Sequence, residues 1–146
     1  MELVVKNVND PFALHYVAER TGIPAHLLLP VQLLQIENGD EHCGTIVLNN
    51  FRALGPDKNA IELTFVADTP RAWTRKILRE LAELVFHNLK CVRAVSGCAD
   101  DNHKSREYLD RSGFVYEGRE KLGWDGEKDK MWYGMTKETC TWLGEE

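Results

Sequence analysis

Seven short stretches of this chain concentrate or alternate apolar residues in the way that β-strands do. The alternation is clearest at residues 61–66, where the apolar Ile61, Leu63 and Phe65 are separated by polar side chains. Turn signals, Asn38-Gly39-Asp40 among them, separate several of these stretches and predict hairpins. The predicted strands are residues 2–8, 31–37, 43–49, 61–66, 91–96, 115–122 and 130–136.

Three other stretches have helical spacing. A first helix is predicted from Asp10-Pro11 to Gly22, and a short third helix from about Asn102 to Ser112, where Gly113 can end it in a left-handed conformation. The long helix between them, from about Pro70 to Asn88, has the strongest pattern. Its apolar stripe consists of Ile77, Leu81, Leu84 and Val85.

The order of these elements predicts the fold class. An α/β (α+β) fold is required by the order strand, helix, three strands, long helix, strand, short helix and closing hairpin. We expect a mixed, mostly antiparallel sheet of six to seven strands with helices on both faces. At 146 residues, the whole chain 1–146 is expected to form a single domain.

Composition excludes several classes of function. The net charge of -5 disfavours a nucleic-acid partner, and no apolar run is long enough to span a membrane, so a cytoplasmic protein is expected. The four cysteines and five histidines lack the close spacing of metal ligands. No metal site is predicted, and the cysteines are expected to be free core or surface residues.

The start of the long helix carries an unusual charge pattern. Thr69-Pro70 is a strong helix start, yet Arg71, Arg75 and Lys76 follow it, where the helix dipole favours anions. Either an anionic group such as a phosphate binds at these backbone N–H groups, or the cations line a solvated face and pair with nearby acidic residues. The sequence alone leaves both interpretations open.

The second half of the chain resembles a known family. Asn102-His103-Lys104-Ser105 is followed by Ser112-Gly113-Phe114 and by Glu117-Gly118-Arg119, in an order similar to the N-x-x-S, G-F and E-G-x-x-R pattern of the GNAT superfamily of N-acetyltransferases. The closing segment, from Asp129 through Tyr133-Gly134-Met135, is also similar. The resemblance covers nearly the whole chain and points to the branch that acetylates ribosomal-protein N-termini and to small phage-encoded relatives.

The resemblance implies a cofactor and its place. Acetyl-coenzyme A would lie between two splayed strands, residues 61–67 and 91–97, and its pantetheine arm would pair with the backbone of Phe65, Val66 and Ala67. Asn102 and Ser105 would face the cofactor from the short helix. For these two residues the alternatives are a helix N-cap at Asn102 and an exposed helical Ser105.

One segment departs from the family pattern. The pyrophosphate loop of the family reads Q/R-x-x-G-x-G/A, whereas residues 71–76 read R-A-W-T-R-K, with Thr74 and Lys76 at the two small positions. Glycine permits the backbone to approach a phosphate closely, and larger side chains do not. Either the side chains of Arg71 and Arg75 replace those backbone contacts, or the site is weakened or lost.

Acetyl transfer to an amine requires a base, a group that stabilises the oxyanion, and an acid for the departing thiolate. Glu62 is the preferred base, with Glu41 and His42 in reserve; a carboxylate paired across the sheet is the alternative interpretation of Glu62. The resemblance places the oxyanion donors at a strand irregularity near residues 65–66. The tyrosine that is the acid in many family members corresponds to Leu109 here. Tyr108, one residue earlier, is the candidate acid, and partial burial under the closing hairpin is its alternative interpretation.

Two tryptophans, Trp124 and Trp132, lie on or near the closing hairpin and are either acceptor contacts or packing residues. The leading hypothesis is an acetyl-coenzyme A-dependent N-acetyltransferase acting on a primary amine of a protein or a small molecule. The alternative is a GNAT-like binding or structural module that is catalytically impaired and phage-associated. The sequence does not identify the amine acceptor, and it leaves both a monomer and a homodimer open.

Overall fold

The computed structural model describes residues 2–6, 16–17, 19, 32–67 and 72–143. It contains one seven-stranded sheet in the order β1-β2-β3-β4-β5-β7-β6. The only parallel neighbours in that sheet are β4 and β5; all other pairs are antiparallel. The strands are β1 (Glu2–Lys6), β2 (Gln32–Asn38), β3 (Glu41–Gly55), β4 (Lys58–Ala67), β5 (Cys91–Ala99), β6 (Val115–Glu120) and β7 (Lys130–Thr136).

The mixed, mostly antiparallel sheet confirms the predicted fold class, and helices lie on both of its faces. On one face, Leu34, Ile46 and Leu63 pack with the two described α-helices in the larger core cluster. On the other face, Val17 of a helical segment packs against the neighbouring positions Leu33 and Val47. Adjacent strand residues therefore enter different cores, as their alternating direction requires. Of the first predicted helix, only Tyr16, Val17 and Glu19 are described, and they are helical.

The long helix begins later than predicted. Helix α1 runs over Arg75–Ala82 and continues as a π-helical turn, Glu83–Asn88, in which the Leu89 N–H donates to the Leu84 carbonyl at 2.8 Å. Its N-cap is Thr74, whose hydroxyl accepts from the Ile77 N–H at 3.2 Å. The predicted start at Pro70 is therefore wrong, because the side chain of Thr74 supplies the cap. Thr69 and Pro70 lie outside the described residues.

The short helix has the expected ends. Helix α2 covers His103–Arg111, and the Asn102 side chain accepts from the Ser105 N–H at 3.1 Å. At its C-terminus, Gly113 has a φ of +95°, its N–H donates to Asp110, and the Phe114 N–H donates to Leu109. These two bonds form the Schellman motif, which glycine at this position favours. Phe114 is then buried in the larger core cluster.

Within the described part of the chain, no helix has the length and hydrophobicity that crossing a membrane requires. The four cysteines are free: Cys43, Cys91 and Cys98 are buried, and Cys140 is half-buried. Their placement agrees with the expectation that they are core or surface residues.

Candidate active site

The central parallel pair of strands comes apart halfway along its length. Strands β4 and β5 pair from Asn59 with Cys91 to Glu62 with Val95, and the pairing stops there. β4 continues to Ala67 while paired with β3 on its other edge, and β5 continues to Ala99 while paired with β7. The two strands thus form a V with its vertex at Glu62 and Val95.

The V exposes backbone hydrogen-bonding groups inside the sheet. In a strand, alternate residues direct their N–H and C=O groups toward opposite neighbours. Alternate residues of Thr64–Ala67 and of Ser96–Ala99 therefore direct both groups into the gap, where the parallel partner is missing. Backbone groups away from water are nearly always paired, so this gap suits a ligand that carries amide groups of its own.

A cavity of about 760 Å³ fills the gap. Its walls include residues 64–67 of β4 and 96–99 of β5, and Trp73, just before α1. The closing side is formed by the start and one face of α2 together with Trp124 and Lys128 of the β6–β7 connection. A cavity of this size, with a largely apolar floor and a few polar groups at the rim, is typical of a small-molecule site.

The floor of the cavity is aromatic. Phe65 is the centre of a cluster in which its ring centroid lies 5.3 Å from that of Trp73, 5.9 Å from that of Tyr108 and 6.3 Å from that of Phe114. All three contacts are edge-to-face, the geometry that aromatic quadrupoles favour. Trp142 packs against the same ring at 6.4 Å. The cluster fixes the side chain of Phe65 on the helical face.

Tyr108 combines burial with a missing hydrogen-bond partner. It lines the cavity, and its Oη is buried without a partner among the described residues. Burial raises the pKa of Tyr108 above its ordinary value, and the nearby Ser112 hydroxyl, which itself donates to the Tyr108 carbonyl at 2.7 Å, opposes this in part. Tyr108 is therefore a neutral phenol in the cavity wall whose hydroxyl oxygen is buried.

Glu62 lies at the vertex of the V, on the sheet face opposite the aromatic cluster. The residue is 7% exposed, and both carboxylate oxygens have partners. Lys130 Nζ is 3.3 Å from Oε2, and the Asn50 side-chain N–H₂ donates to Oε1 at 2.8 Å. The cross-sheet pairing considered from sequence is present, and the carboxylate is buried rather than solvated. Two accepted hydrogen bonds leave lone pairs of an ionised carboxylate free.

The irregularity expected in β4 lies in β3 instead. β4 pairs regularly with β3 from Glu62 to Ala67, whereas the register shifts between Asn49 and Arg52. In that bulge Asn50 has a φ of 51°, a left-handed conformation that a short amide side chain tolerates. The expected bulge near Phe65 and Val66 is therefore wrong, because the divergence of β5, and not a bulge, exposes the β4 backbone.

The predicted cofactor residues divide into two groups. Phe65, Val66, Ala67, Asn102 and Ser105 all line the cavity together with Tyr108, although the Asn102 Oδ1 also caps α2. The described residues predicted at the helix start do not line the cavity. Thr74 caps α1, and Arg75 and Lys76 are exposed and absent from the cavity walls. Arg71 lies outside the described residues.

The reserve residues lie elsewhere. Glu41 is exposed at the start of β3, and His42 contacts Gln35 and, at 3.0 Å, the Thr45 hydroxyl. Of the two tryptophans, Trp124 lines the cavity, while the ring of Trp132 lies 3.9 Å below Lys130 Nζ.

Sequence reasoning missed several residues of the site. Trp73 lies at an unconstrained position of the pyrophosphate-loop pattern, and Lys130 reaches Glu62 across 68 positions of sequence. Cys98 and Ala99 line the cavity because β5 runs beyond the predicted end at Ser96. The apolar Gly97-Cys98-Ala99 run was the available signal for that extension. No local pattern points to Lys130.

Solved structures resemble this chain over nearly its whole length. A mutant of the spermidine N-acetyltransferase SpeG of Vibrio cholerae superposes with a TM-score of 0.73 at 14% identity, covering 99% of this chain and 98% of that chain. A GNAT-family acetyltransferase of Bacillus anthracis superposes with a TM-score of 0.64 at 15% identity, covering 94% and 96%. No protein-family model and no curated protein matches the sequence. The chain therefore has the fold of the GNAT acetyltransferases, and the resemblance seen in its sequence is confirmed at the level of fold.

Proposed function

We propose that this chain is an acetyl-coenzyme A-dependent N-acetyltransferase that transfers the acetyl group from the thioester directly to a primary amine. The observation that carries the proposal is the V between β4 and β5, where two rows of backbone groups face each other across a cavity of about 760 Å³. The pantetheine arm of coenzyme A contains two amides, and such a chain can satisfy backbone groups that a missing strand leaves unpaired.

In this proposal the cofactor binds from the carboxyl ends of β4 and β5. The backbone of Phe65, Val66 and Ala67 pairs with the pantetheine arm, and Asn102 and Ser105 contact it from α2. Because Arg75 and Lys76 are absent from the cavity walls, their role is at the rim, where long cationic side chains attract the diphosphate without enclosing it.

The acetyl transfer moves three protons, because two leave the nitrogen and one reaches the sulfur. An ammonium acceptor gives one proton to the Glu62 carboxylate, and the freed nitrogen lone pair attacks the thioester carbonyl carbon. An N–H of the β4 backbone in the V stabilises the oxyanion of the tetrahedral intermediate. When the C–S bond breaks, the sulfur takes the Tyr108 phenolic proton, the resulting phenolate takes the second proton from the acetylated nitrogen, and Glu62 releases its proton to solvent. The products are an N-acetyl amide and free coenzyme A.

The acceptor is assigned only as a primary amine. The Vibrio cholerae relatives in fold are named for spermidine, while the sequence motifs point to ribosomal-protein N-termini; a lysine side chain presents the same nucleophile. A useful panel therefore contains spermidine, an alanine-initiated peptide and a lysine-containing peptide.

A second candidate is a GNAT-like module without catalysis. It is favoured by the segment before α1, where Trp73 occupies the cavity wall and Thr74 serves as a helix cap in place of the small residues that cradle a phosphate. This candidate binds a partner and does not turn over acetyl-coenzyme A.

Two measurements separate the candidates. Calorimetric titration with acetyl-coenzyme A is expected to give one site per chain, and a thiol assay is expected to detect coenzyme A release with at least one amine of the panel. A folded protein that shows no heat at millimolar acetyl-coenzyme A overturns the proposal. Binding without thiol release from any amine favours the second candidate.

A further inference from the structure

The Lys130 side chain crosses over a glycine to reach Glu62. Lys130 pairs with Ala99 of β5, and Gly97 lies two residues back on the same face. A Cβ at position 97 would overlap the Lys130 Cε and lie 3.2 Å from its Cγ. The missing side chain of Gly97 therefore opens the path by which Lys130 spans β5 and reaches a carboxylate on β4.

The bridge lies where the sheet divides. Glu62 is the last residue of β4 that pairs with β5, and its contact with Lys130 crosses the vertex of the V. The Lys130 side chain is 16% exposed, and its Nζ also lies over the Trp132 ring. A half-buried cation with a carboxylate on one side and an aromatic face on the other has little freedom to move. Asn50 holds the second carboxylate oxygen.

The same face contains a second bridge of this kind. Glu117 of β6 crosses Gly134 of β7 and pairs with Arg93 of β5, and a Cβ at position 134 would overlap the Glu117 carboxylate. Arg93 pairs with Ala60, where β4 and β5 are still joined. The two bridges share their construction and differ in position, so the second one is a matched control for the first.

We propose that Lys130 is a positioning residue of the acetyl transfer, an inference that rests on the proposed function above. Lys130 fixes the orientation of the Glu62 carboxylate at the vertex, beside the residues that line the cavity. Lys130 keeps its own proton and forms no bond to the substrate. One proton of the ammonium goes to Glu62, the nitrogen attacks the carbonyl carbon, Tyr108 protonates the departing thiolate, and the Tyr108 phenolate takes the second proton of the nitrogen.

A double-mutant cycle tests this role, with steady-state rates measured by thiol release from acetyl-coenzyme A and the best acceptor of the panel. Lys130→Met is expected to lower kcat by roughly 10²-fold, as small displacements of reacting groups do, with the KM for acetyl-coenzyme A unchanged. Lys130→Arg, which keeps the cation, is expected to restore most of the rate. In a Glu62→Gln background, Lys130→Met is expected to change kcat by less than about twofold, because the residue acts through Glu62.

The second bridge supplies the control. Glu117→Gln and Gly134→Ala are expected to leave kcat within about twofold of the wild type, whereas Gly97→Ala, which displaces the Lys130 stem while keeping both charges, is expected to lower it as Lys130→Met does. Gly97→Ala also provides the test if Lys130→Met does not fold.

Two outcomes overturn the inference. In one, Lys130→Met and Glu62→Gln lower kcat additively; in the other, variants of the two bridges lower kcat equally. A wild-type chain that releases no thiol with any amine is a failure of the proposed function itself, whereas an active wild type with an unaffected Lys130→Met refutes only the role of Lys130.

Discussion

At the scale of single residues, the buried hydroxyl of Tyr108 lowers the stability of the fold. Its buried Oη has no partner in the part of the chain that the structure describes, and a buried polar group without a hydrogen bond costs roughly 1–3 kcal/mol. The proposed function gives this group a use, because Tyr108 would donate its proton to the thiolate of coenzyme A. The group that lowers stability is thus the one proposed to supply the proton.

Tyr108→Phe separates these two effects. We expect the free energy of unfolding to stay the same or to rise by up to about 1 kcal/mol, because the unpaired hydroxyl is removed. We expect kcat to fall roughly 10²-fold, because the acid is lost. Tyr116, which is about half exposed, provides the control Tyr116→Phe, which should change neither quantity. A loss of stability with full activity would show that the hydroxyl is a packing element.

Asp129 gives a prediction for pH. The carboxylate accepts from the Leu122 N–H at 2.9 Å and pairs with Arg119 at 3.0 Å, and these contacts hold its pKa below the ordinary value, the backbone N–H most strongly. A lowered pKa in the folded state contributes stability above the unfolded value near pH 4, and that contribution is lost as the pH falls.

Melting curves of the wild type and Asp129→Asn between pH 7 and pH 3 check this. The variant should melt lower at pH 7, and the difference should shrink as the pH drops below about 4. Asp57→Asn is the control, since its pairing with Lys90 is exposed and long at 3.5 Å. A difference that stays constant with pH would mean that the charge of Asp129 is not the source of its effect.

At the scale of elements, the start of α1 decides where the cationic residues lie. Thr74 caps the helix, so Arg75 and Lys76 become its first two residues and point into solvent. Thr74→Ala should lower the free energy of unfolding by about 1 kcal/mol, and Thr74→Ser, which keeps the hydroxyl, should lower it much less. Chemical denaturation of both variants measures the difference. If Thr74→Ala were as stable as the wild type, the Thr74 hydroxyl would not be the group that stabilises the start of α1.

The elements themselves were largely predictable from sequence, and their details show where sequence patterns stop. Alternation at Ile61, Leu63 and Phe65 and the glycine at 113 determine a strand and a helix end through purely local physics. The helix start was misplaced because Thr69-Pro70 is a strong local start signal, whereas the helix is capped by Thr74, which has the same capping chemistry.

The site was predictable only in part. Phe65, Asn102 and Ser105 share one cavity because the family motif fixes their elements, and the elements fix their faces. The Lys130–Glu62 bridge depends on the registers of β4 with β5 and of β5 with β7. Register between distant strands is set by the whole sheet and leaves no trace in a local pattern.

At the scale of the molecule, one sheet consists of two arms that are joined over a short parallel pairing. β1 to β4 form one arm and β5 to β7 the other, and the arms share backbone pairing only from Asn59 to Glu62 on the β4 side. The Lys130–Glu62 bridge ties the arms together at the point where that pairing ends. The interior of the sheet thereby contains two strand edges that a ligand can join.

Hydrogen exchange tests this view of the sheet and the proposed cofactor together. Without ligand, the amides directed into the gap from residues 64–67 and 96–99 should exchange faster than those of Ala60–Glu62, which remain paired with β5. With acetyl-coenzyme A at about 100 times its Kd, protection should rise in both segments at once, and the whole protein should be stabilised by about 2.7 kcal/mol. Protection confined to one strand would mean that the ligand does not bridge the arms. Uniform protection across the sheet, with no excess at the gap, would mean that acetyl-coenzyme A stabilises the fold from a site other than the V.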